Sequence, residues 1–200
     1  VGQVAKIAGC RAVGIVGSRA KADFIENELG FDEAIVHREG NVGAALDMAQ
    51  GLVDMGVLTG TAASAVESGA MGLFFPHGLG HQIGMDVHDM EGLGEDLVGY
   101  GDGTERSPLF GLGYLRLGKP LLAGMVITVE PGIYFIPALI DAWQAEGRHG
   151  QYINYARFNE YRDFGGIRIE DDVLVTADGS RVLGEPIAKT ADEVEAVMAG

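Results

Sequence analysis

Three histidines, His77, His81 and His88, lie within twelve positions in the segment FFPHGLGHQIGMDVHD, among glycines and two aspartates. Two later β-rich segments each carry a carboxylate: GMVITVEPGIYF contains Glu130, and GGIRIEDDVLVT contains Glu170. One imidazole and two carboxylates from separate strands can bind a hard divalent ion between them. A fold that uses these residues must therefore bring three segments that are distant in sequence to one place.

Composition limits the class of protein without choosing its function. The 200 residues are 47% hydrophobic, which is enough for a globular core. The formal net charge of −15 is spread along the chain without a basic stripe, which disfavours nucleic acid or an anionic membrane surface as a partner. No apolar run reaches the roughly 18 residues that are typical of a membrane helix. The single cysteine, Cys10, fits a reducing compartment, so the cytoplasm is the expected location.

The chain has two unlike parts. Up to about residue 40, apolar helical stretches alternate with β-rich runs, as in VGQVAKIAG followed by RAVGIVGS, and this alternation predicts parallel α/β structure. Beyond residue 44 the pattern predicts helices over residues 46–55 and 62–71, then the histidine segment, isolated strands and a glycine-rich loop over residues 92–113. We therefore place a domain boundary between residues 43 and 44.

Strand geometry predicts which side chains in the carboxylate segments face a site. Side chains two apart in a strand share a face, so Arg168 and Glu170 should project together while Ile167 and Ile169 pack behind them. Glu130 ends an apolar strand and precedes a proline, which cannot donate a hydrogen bond to a sheet. Its carboxylate is therefore expected to point into a cleft.

Glycines surround the central histidine of the first segment. Gly78, Gly80 and Gly84 flank His81 on both sides. Because glycine has no Cβ, these positions are expected to allow close backbone approach and unusual backbone dihedrals around the imidazole.

Residues 1–43 resemble the NADPH-dependent medium-chain reductases, in which a helix with VGQ leads to a strand that ends in Gly-Ser with a lysine nearby. The resemblance implies a short Rossmann-like α/β fragment, with Ser18 and Lys21 near the 2′-phosphate of NADPH. The glycine-rich turn that meets the pyrophosphate in a dinucleotide fold is absent here. The alternative interpretation of Ser18 and Lys21 is therefore a helix cap and a solvated charge.

Residues 44–200 resemble the pita-bread metallopeptidases, most closely the Xaa-Pro dipeptidases, or prolidases. The resemblance rests on the histidine segment and the two carboxylate segments in that order, and it extends to FIPALIDAW and to the closing ADEVEAVMAG. It implies an α+β fold, a partial pita-bread domain, preceded by the short Rossmann-like fragment.

The resemblance also implies a role for each residue of the trio. His81, Glu130 and Glu170 would be metal ligands, with Glu170 bridging two ions and Glu130 also handling the proton of the attacking water. His77 and His88 would flank the substrate and stabilise charge at the scissile carbonyl. The family points to two Mn²⁺ ions about 3.5 Å apart, with Co²⁺ or Zn²⁺ as substitutes.

Three further residues would serve the substrate. By the same resemblance Arg116 would bind the free carboxylate of the substrate, Arg168 would support Glu170, and Tyr134 would line the site. The planar fork of an arginine suits a carboxylate because it forms two parallel hydrogen bonds, although a solvated loop arginine is the alternative for Arg116. The implied reaction is hydrolysis of a dipeptide with a C-terminal proline, by an enzyme that the family suggests is a homodimer.

The sequence departs from the family at two metal ligands. These enzymes complete the site with two aspartates eleven residues apart on an earlier hairpin, and no aspartate before His77 has a partner at that spacing; the aspartates tested are Asp23, Asp32, Asp47 and Asp54. With three of five ligands, metal binding is expected to be weak or partial and activity impaired. We interpret the chain as a chimera of a reductase fragment and the C-terminal part of a dipeptidase.

Two other functions stay open from the sequence. An NADPH-dependent oxidoreductase fragment would explain residues 1–43, and a non-catalytic peptide-binding module would keep the cleft without complete metal ligation. Binding of NADPH would favour the first alternative, and peptide binding without proline release would favour the second.

Overall fold

A computed structural model describes residues 13–16, 33–36, 40–100 and 105–200. Cys10, Ser18 and Lys21 lie outside these residues. In the first part of the chain, strands β1 (Val13–Val16) and β2 (Glu33–Val36) pair in parallel, with Val13 opposite Glu33. The pair is the parallel arrangement that the alternating pattern predicts. The reductase-like fragment itself stays a prediction.

Short helices connect the strands of the second part. In chain order, the helices are α1 (Gly40–Asp54), α2 (Ala62–Glu67), α3 (Glu95–Gly99), α4 (Pro137–Ala145), α5 (Tyr155–Asn159) and α6 (Ala191–Met198). Single 3₁₀ turns occupy Ala70–Leu73, Glu91–Leu93 and Leu112–Tyr114. The domain boundary proposed from the sequence falls inside α1, so the helix continues across it.

Two antiparallel sheets position the carboxylate segments. The remaining strands are β3 (Gln82–Ile83), β4 (Val126–Val129), β5 (Gly132–Phe135), β6 (Gly165–Arg168), β7 (Asp171–Val175) and β8 (Ser180–Val182). One sheet has the strand order β3–β4–β7–β8, and the other pairs β5 with β6. Because β4 continues into β5 and β6 into β7 after two residues each, the two sheets meet at those junctions.

The predicted helix over residues 62–71 is shorter in the structure. Thr61 caps α2 by accepting a hydrogen bond from the Ser64 backbone, and the helix ends at Glu67. Gly69 then adopts a φ of 84°, a left-handed conformation that a helix cannot continue through, and the chain turns into a 3₁₀ turn. The predicted loop over residues 92–113 is also partly wrong, because it contains α3 and the start of a 3₁₀ turn at Leu112.

The core lies between the helices and the β5–β6 sheet. Phe74, Phe135 and Phe158 form its centre: the Phe74 and Phe158 ring centroids are 4.7 Å apart, and those of Phe135 and Phe158 are 5.2 Å apart. Ile140 and Trp143 from α4 are buried in the same cluster. Burial of large aromatic side chains dominates the energy of such a core, so the helices pack against the sheet through these rings.

One prediction about the second carboxylate segment is wrong. Ile167 does not pack behind Arg168. It is 56% exposed, and the other three residues of β6 are exposed as well. The exposure of all four residues shows that no element among the described residues covers β6 at this position. Arg168 and Glu170 nevertheless lie together, as predicted.

In the part of the chain that the structure describes, no helix is long and apolar enough to cross a membrane.

Replacing Phe158 with alanine is expected to lower the free energy of unfolding by about 3–5 kcal/mol, because Phe158 is fully buried between two aromatic rings. Urea denaturation followed by circular dichroism measures the loss. Phe164→Ala is the matched control, since Phe164 also contacts Phe135 but is 55% exposed. Equal losses in the two variants would contradict the central role of Phe158.

Candidate metal centre

Strand pairing brings His81, Glu130 and Glu170 together. The segment before β3 continues the pairing with β4, since the Thr128 backbone N–H donates to the His81 carbonyl at 2.9 Å. On the other side of β4, Val129 lies opposite Asp171 of β7. Glu130 directly follows Val129, and Glu170 directly precedes Asp171, so the two glutamates lie next to the same pair of opposed residues. One side-chain ligand atom from each of the three residues lies within 4.8 Å of the others. The structure thus assembles the three residues that the sequence selects as metal ligands.

Gly80 allows the histidine segment to approach β4. An added Cβ would overlap the Thr128 carbonyl oxygen and would lie 2.8 Å from its carbonyl carbon. Gly84 is similarly close to the Asp89 carboxylate, whereas a Cβ at Gly78 would make only ordinary contact with Leu115 at 3.4 Å. None of the three glycines has a positive φ. The predicted close approach is therefore confirmed at Gly80 and Gly84, and the predicted unusual dihedrals are wrong.

Thr128 joins two of the candidate ligands. Its buried hydroxyl accepts a hydrogen bond from the His81 backbone N–H at 2.9 Å and donates one to Glu130 Oε1 at 3.1 Å. This hydroxyl fixes the orientation of the Glu130 carboxylate relative to the histidine backbone. Thr128 is not among the residues that the sequence predicts for the site, because a single threonine in an apolar strand carries no specific signal.

The His81 ring is held in one tautomer. Its Nδ1 lies 3.0 Å from the Gln82 carbonyl oxygen, and because a carbonyl can only accept, Nδ1 carries the proton. In the neutral ring Nε2 keeps its lone pair, and it lies 3.5 Å from Glu130 Oε1. A buried imidazole nitrogen and a carboxylate oxygen at this distance form an environment that a cation stabilises. The donor set therefore fits a divalent metal ion.

Arg168 contacts both carboxylates. Its Nη1 lies 3.0 Å from Glu130 Oε2, and its Nη2 lies 3.3 Å from Glu170 Oε2. Like charges brought this close repel each other, so the guanidinium lowers the cost of placing the two carboxylates side by side. It also leaves Glu130 Oε1 directed toward His81. The predicted contact between Arg168 and Glu170 is present in the structure.

The other two histidines lie beside the trio. The His88 ring is edge-on to His81, with 4.4 Å between centroids. His77 Nδ1 lies 2.7 Å from the Gly78 carbonyl oxygen, and its Nε2 lies 3.0 Å from the Tyr134 hydroxyl. Because the Gly78 carbonyl can only accept, Nδ1 of His77 donates to it. In the neutral ring Nε2 then accepts, so the Tyr134 hydroxyl donates to Nε2.

An open cavity of about 280 Å³ connects these groups. Its lining includes the three histidines, Glu130, Arg168 and Arg116, together with Gly78, Gly80 and Tyr114. Tyr134 was expected to line the site but does not border this cavity; it contacts His77 instead. Tyr114 borders the cavity and was not identified from the sequence, where a tyrosine in a glycine-rich loop carries no specific signal.

Arg116 lies at the edge of the cavity next to His88. Its Nη1 is 3.3 Å from His88 Nδ1 and forms an ion pair with Glu91. The sequence left open that Arg116 is a loop arginine surrounded by solvent. In the structure it borders the cavity and is paired with Glu91.

Comparisons with known proteins agree with this arrangement. The family model described as metallopeptidase family M24 matches residues 41–177. The human Xaa-Pro dipeptidase is 43% identical over 149 residues, which are 74% of this chain but only 29% of that protein. Proline aminopeptidase P II from Yersinia pestis is structurally similar, with a TM-score of 0.55 and 34% identity over 81% of this chain and 29% of its own. Zn-substituted Escherichia coli aminopeptidase P in complex with product has a TM-score of 0.51 and 33% identity, over 82% of this chain and 28% of its own.

Gly80→Ala is expected to weaken Mn²⁺ binding by at least about tenfold, because the new Cβ must push the histidine segment away from β4 and displace His81. Isothermal titration with Mn²⁺ measures the change. Gly179→Ala is the control, because a Cβ there meets no atom within 4 Å. Unchanged Mn²⁺ affinity in Gly80→Ala would show that the close pairing with β4 does not position the ligand.

Thr128→Val is expected to reduce Mn²⁺ affinity by about 10–100-fold, because the variant keeps the side-chain shape but removes the hydrogen bonds to His81 and Glu130. Thr128→Ser restores the hydroxyl and should recover most of the affinity. The same titration compares both variants with the original chain. Equal affinity in the valine and serine variants would rule out orientation through the hydroxyl.

Proposed function

The chain belongs to metallopeptidase family M24, and we propose from this that its site is one for metal-dependent hydrolysis of Xaa-Pro dipeptides. The fold is a part of the pita-bread fold of that family, consistent with the aminopeptidase P neighbours. The aligned residues span about 29% of the human Xaa-Pro dipeptidase. We therefore infer the substrate class, Xaa-Pro dipeptides, from the similarity of this chain to that dipeptidase.

The observation that carries the proposal is the convergence of His81, Glu130 and Glu170 on one point next to a cavity. One imidazole and two carboxylates suit a hard or borderline divalent ion, for which we propose Mn²⁺, with Co²⁺ or Zn²⁺ as substitutes. Such an ion, when bound, supplies a water of lowered pKa and stabilises negative charge on the carbonyl oxygen. The position of the cavity beside the trio allows a peptide to reach this point.

The residues of the chain would then divide the remaining tasks. Glu130 would accept the proton of the attacking water, since its Oε1 points toward His81 and its other oxygen is held by Arg168. His77 and His88 would contact the peptide from two sides of the cavity, and Tyr134 would hold the His77 ring. These residues would orient the scissile carbonyl.

Arg116 would bind the carboxylate at the C-terminus of the dipeptide. It borders the same cavity as His81 and Glu130, so one peptide can contact all three residues. Arginine suits this task because a carboxylate accepts two parallel hydrogen bonds from its guanidinium. A C-terminal carboxylate bound at this position would restrict the substrates to short peptides.

We also propose that hydrolysis by these 200 residues is impaired. Within the described residues the cluster contains three ligands, and the sequence has no pair of aspartates eleven residues apart before His77. Three protein ligands can hold one ion, while a second ion would lack most of its ligands. The same observation favours a second candidate, a module that binds peptides without cleaving them. A homodimer remains an expectation from the family resemblance, and a cytoplasmic location remains an expectation from the single cysteine.

Adding Mn²⁺ and Gly-Pro to the purified chain tests the proposal directly. We expect about one bound ion per chain, by the ligand count, and slow release of proline. His81→Ala should abolish both, because it removes the imidazole ligand, whereas His149→Ala should not, because His149 packs against Trp143 away from the cavity.

The outcomes separate the candidates. Proline release lost in His81→Ala supports the peptidase. Binding of Gly-Pro and Mn²⁺ without proline release supports the peptide-binding module. Proline release that persists in His81→Ala, or a chain that binds neither Mn²⁺ nor Gly-Pro, contradicts the proposal.

A further inference from the structure

A group of charged side chains surrounds Arg116 at the edge of the cavity. Glu91 starts a 3₁₀ turn, and Glu95 starts α3, four residues later. Arg116 Nη1 forms an ion pair with Glu91 and lies 3.5 Å from Glu95 Oε1. Glu91 also lies 3.8 Å from His88 Nδ1. Glu91 therefore joins the arginine to a histidine that borders the candidate metal centre.

Only one end of the Arg116 guanidinium is used by these contacts. Its side-chain hydrogen bonds within the described residues all involve Nη1, and neither Nε nor Nη2 forms a hydrogen bond there. A carboxylate binds most specifically to two adjacent N–H groups of a guanidinium, and Nε and Nη2 form such a pair. The contacts with Glu91 and Glu95 thus leave a complete carboxylate-binding edge available.

The backbone next to Arg116 is held from the opposite side. Arg106 Nη1 donates to the carbonyls of Gly113 at 3.0 Å and Leu115 at 3.2 Å, and the Tyr100 hydroxyl donates to the Leu115 carbonyl at 2.6 Å. Gly99 permits a close approach, because a Cβ there would overlap the Arg116 carbonyl oxygen. The main chain at Arg116 is therefore fixed against α3.

Arg106 is itself fixed by two acidic residues of α3. It donates to Asp96 Oδ1 at 2.7 Å and to Glu95 Oε2 at 2.9 Å, and the hydrogen bond to Asp96 raises the pKa of Arg106. Asp96 has no contact with Arg116 within the described residues. Its carboxylate is thus close in space and equal in charge to Glu91, but different in function.

We propose that Glu91 is a positioning residue that holds Arg116 by Nη1 and so presents its Nε–Nη2 edge to the C-terminal carboxylate of a peptide ligand. A fixed backbone leaves the long arginine side chain free to rotate, and ordering that side chain only when the ligand binds would cost conformational entropy. The ion pair with Glu91 orders it in advance. This inference rests on the proposed function, because it takes a peptide carboxylate as the ligand of Arg116.

The opposite role for Glu91 is also physically possible. A carboxylate next to Arg116 could compete with the ligand carboxylate for the same guanidinium. Competition would be strongest if Glu91 accepted hydrogen bonds from both Nε and Nη2, but it accepts from Nη1. The two roles make opposite predictions, because removing a competitor tightens ligand binding whereas removing a positioning residue weakens it.

The test compares two ligands that differ only at the C-terminus, Gly-Pro and Gly-Pro-amide. Each is titrated by isothermal calorimetry into the metal-free 200-residue chain, so that hydrolysis does not interfere, and then into the Mn²⁺-loaded chain at low temperature. We expect the original chain to prefer the acid by at least about tenfold. Glu91→Ala should reduce this preference to about twofold or less, with little change in affinity for the amide.

Two further variants make the comparison specific. Glu91→Gln keeps an oxygen that can accept from Nη1 and should restore part of the preference for the acid. Asp86→Ala removes the same charge from the segment before Glu91 and should leave the preference unchanged, because Asp86 is exposed and its side chain has no hydrogen bond or ion pair within the described residues. A merely structural role for Glu91 would not produce this pattern, because it would affect both ligands.

Each outcome decides the proposal. A tighter affinity for Gly-Pro in Glu91→Ala, an unchanged preference in that variant, or an equal loss in Asp86→Ala overturns the positioning role. If the original chain binds acid and amide equally, Arg116 does not recognise the carboxylate, and this inference fails while metal-dependent hydrolysis can still be correct. If neither ligand binds with or without Mn²⁺, both this inference and the proposed function fail.

Discussion

The rest of the site depends on the backbone pairing between the histidine segment and β4. The Thr128 N–H donates to the His81 carbonyl, and the Glu130 N–H donates to the Leu79 carbonyl at 2.7 Å, so two candidate ligands belong to one hydrogen-bonded ladder. Only a glycine at position 80 lets the two strands come this close. Because the ladder is rigid, the distance between His81 and Glu130 is set by the main chain, and the hydroxyl of Thr128 refines only the orientation of the carboxylate.

Electrostatics explains how the remaining carboxylate joins that ladder. Glu170 follows β6 and precedes β7, so the β4–β7 pairing brings a second negative charge next to Glu130. Arg168, two positions earlier, contacts both carboxylates and reduces their repulsion. A metal ion bound to these two carboxylates would therefore share them with the guanidinium of Arg168. The two carboxylates can therefore lie side by side. Their ligand atoms and that of His81 are close enough together for one cation to contact all three.

Much of this arrangement could be predicted from the sequence, and the failures have physical causes. The strand before Glu130 and the proximity of Arg168 and Glu170 follow from alternation along a strand, a local property. The exposure of Ile167 could not be predicted in the same way, because alternation says which side chains share a face and not whether another element covers that face. The contact of Tyr134 with His77 could not be derived from the sequence either, since the direction of a side chain depends on its neighbours in three dimensions. Glu91 and Thr128 carry no sequence signal of their own, as their roles come from partners 25 and 47 residues away.

By itself, the sequence determined the chemistry of this protein: the residue types that can bind a metal, their order along the chain, and the glycine that permits close strand pairing. These are local properties, because donor atoms and backbone freedom belong to individual residues. Only the tertiary structure decided which donors meet and that Arg116 is held by Glu91 through one nitrogen of its guanidinium. Such contacts join residues that are far apart in the chain, and their geometry is set by strand register and packing, which no single segment specifies.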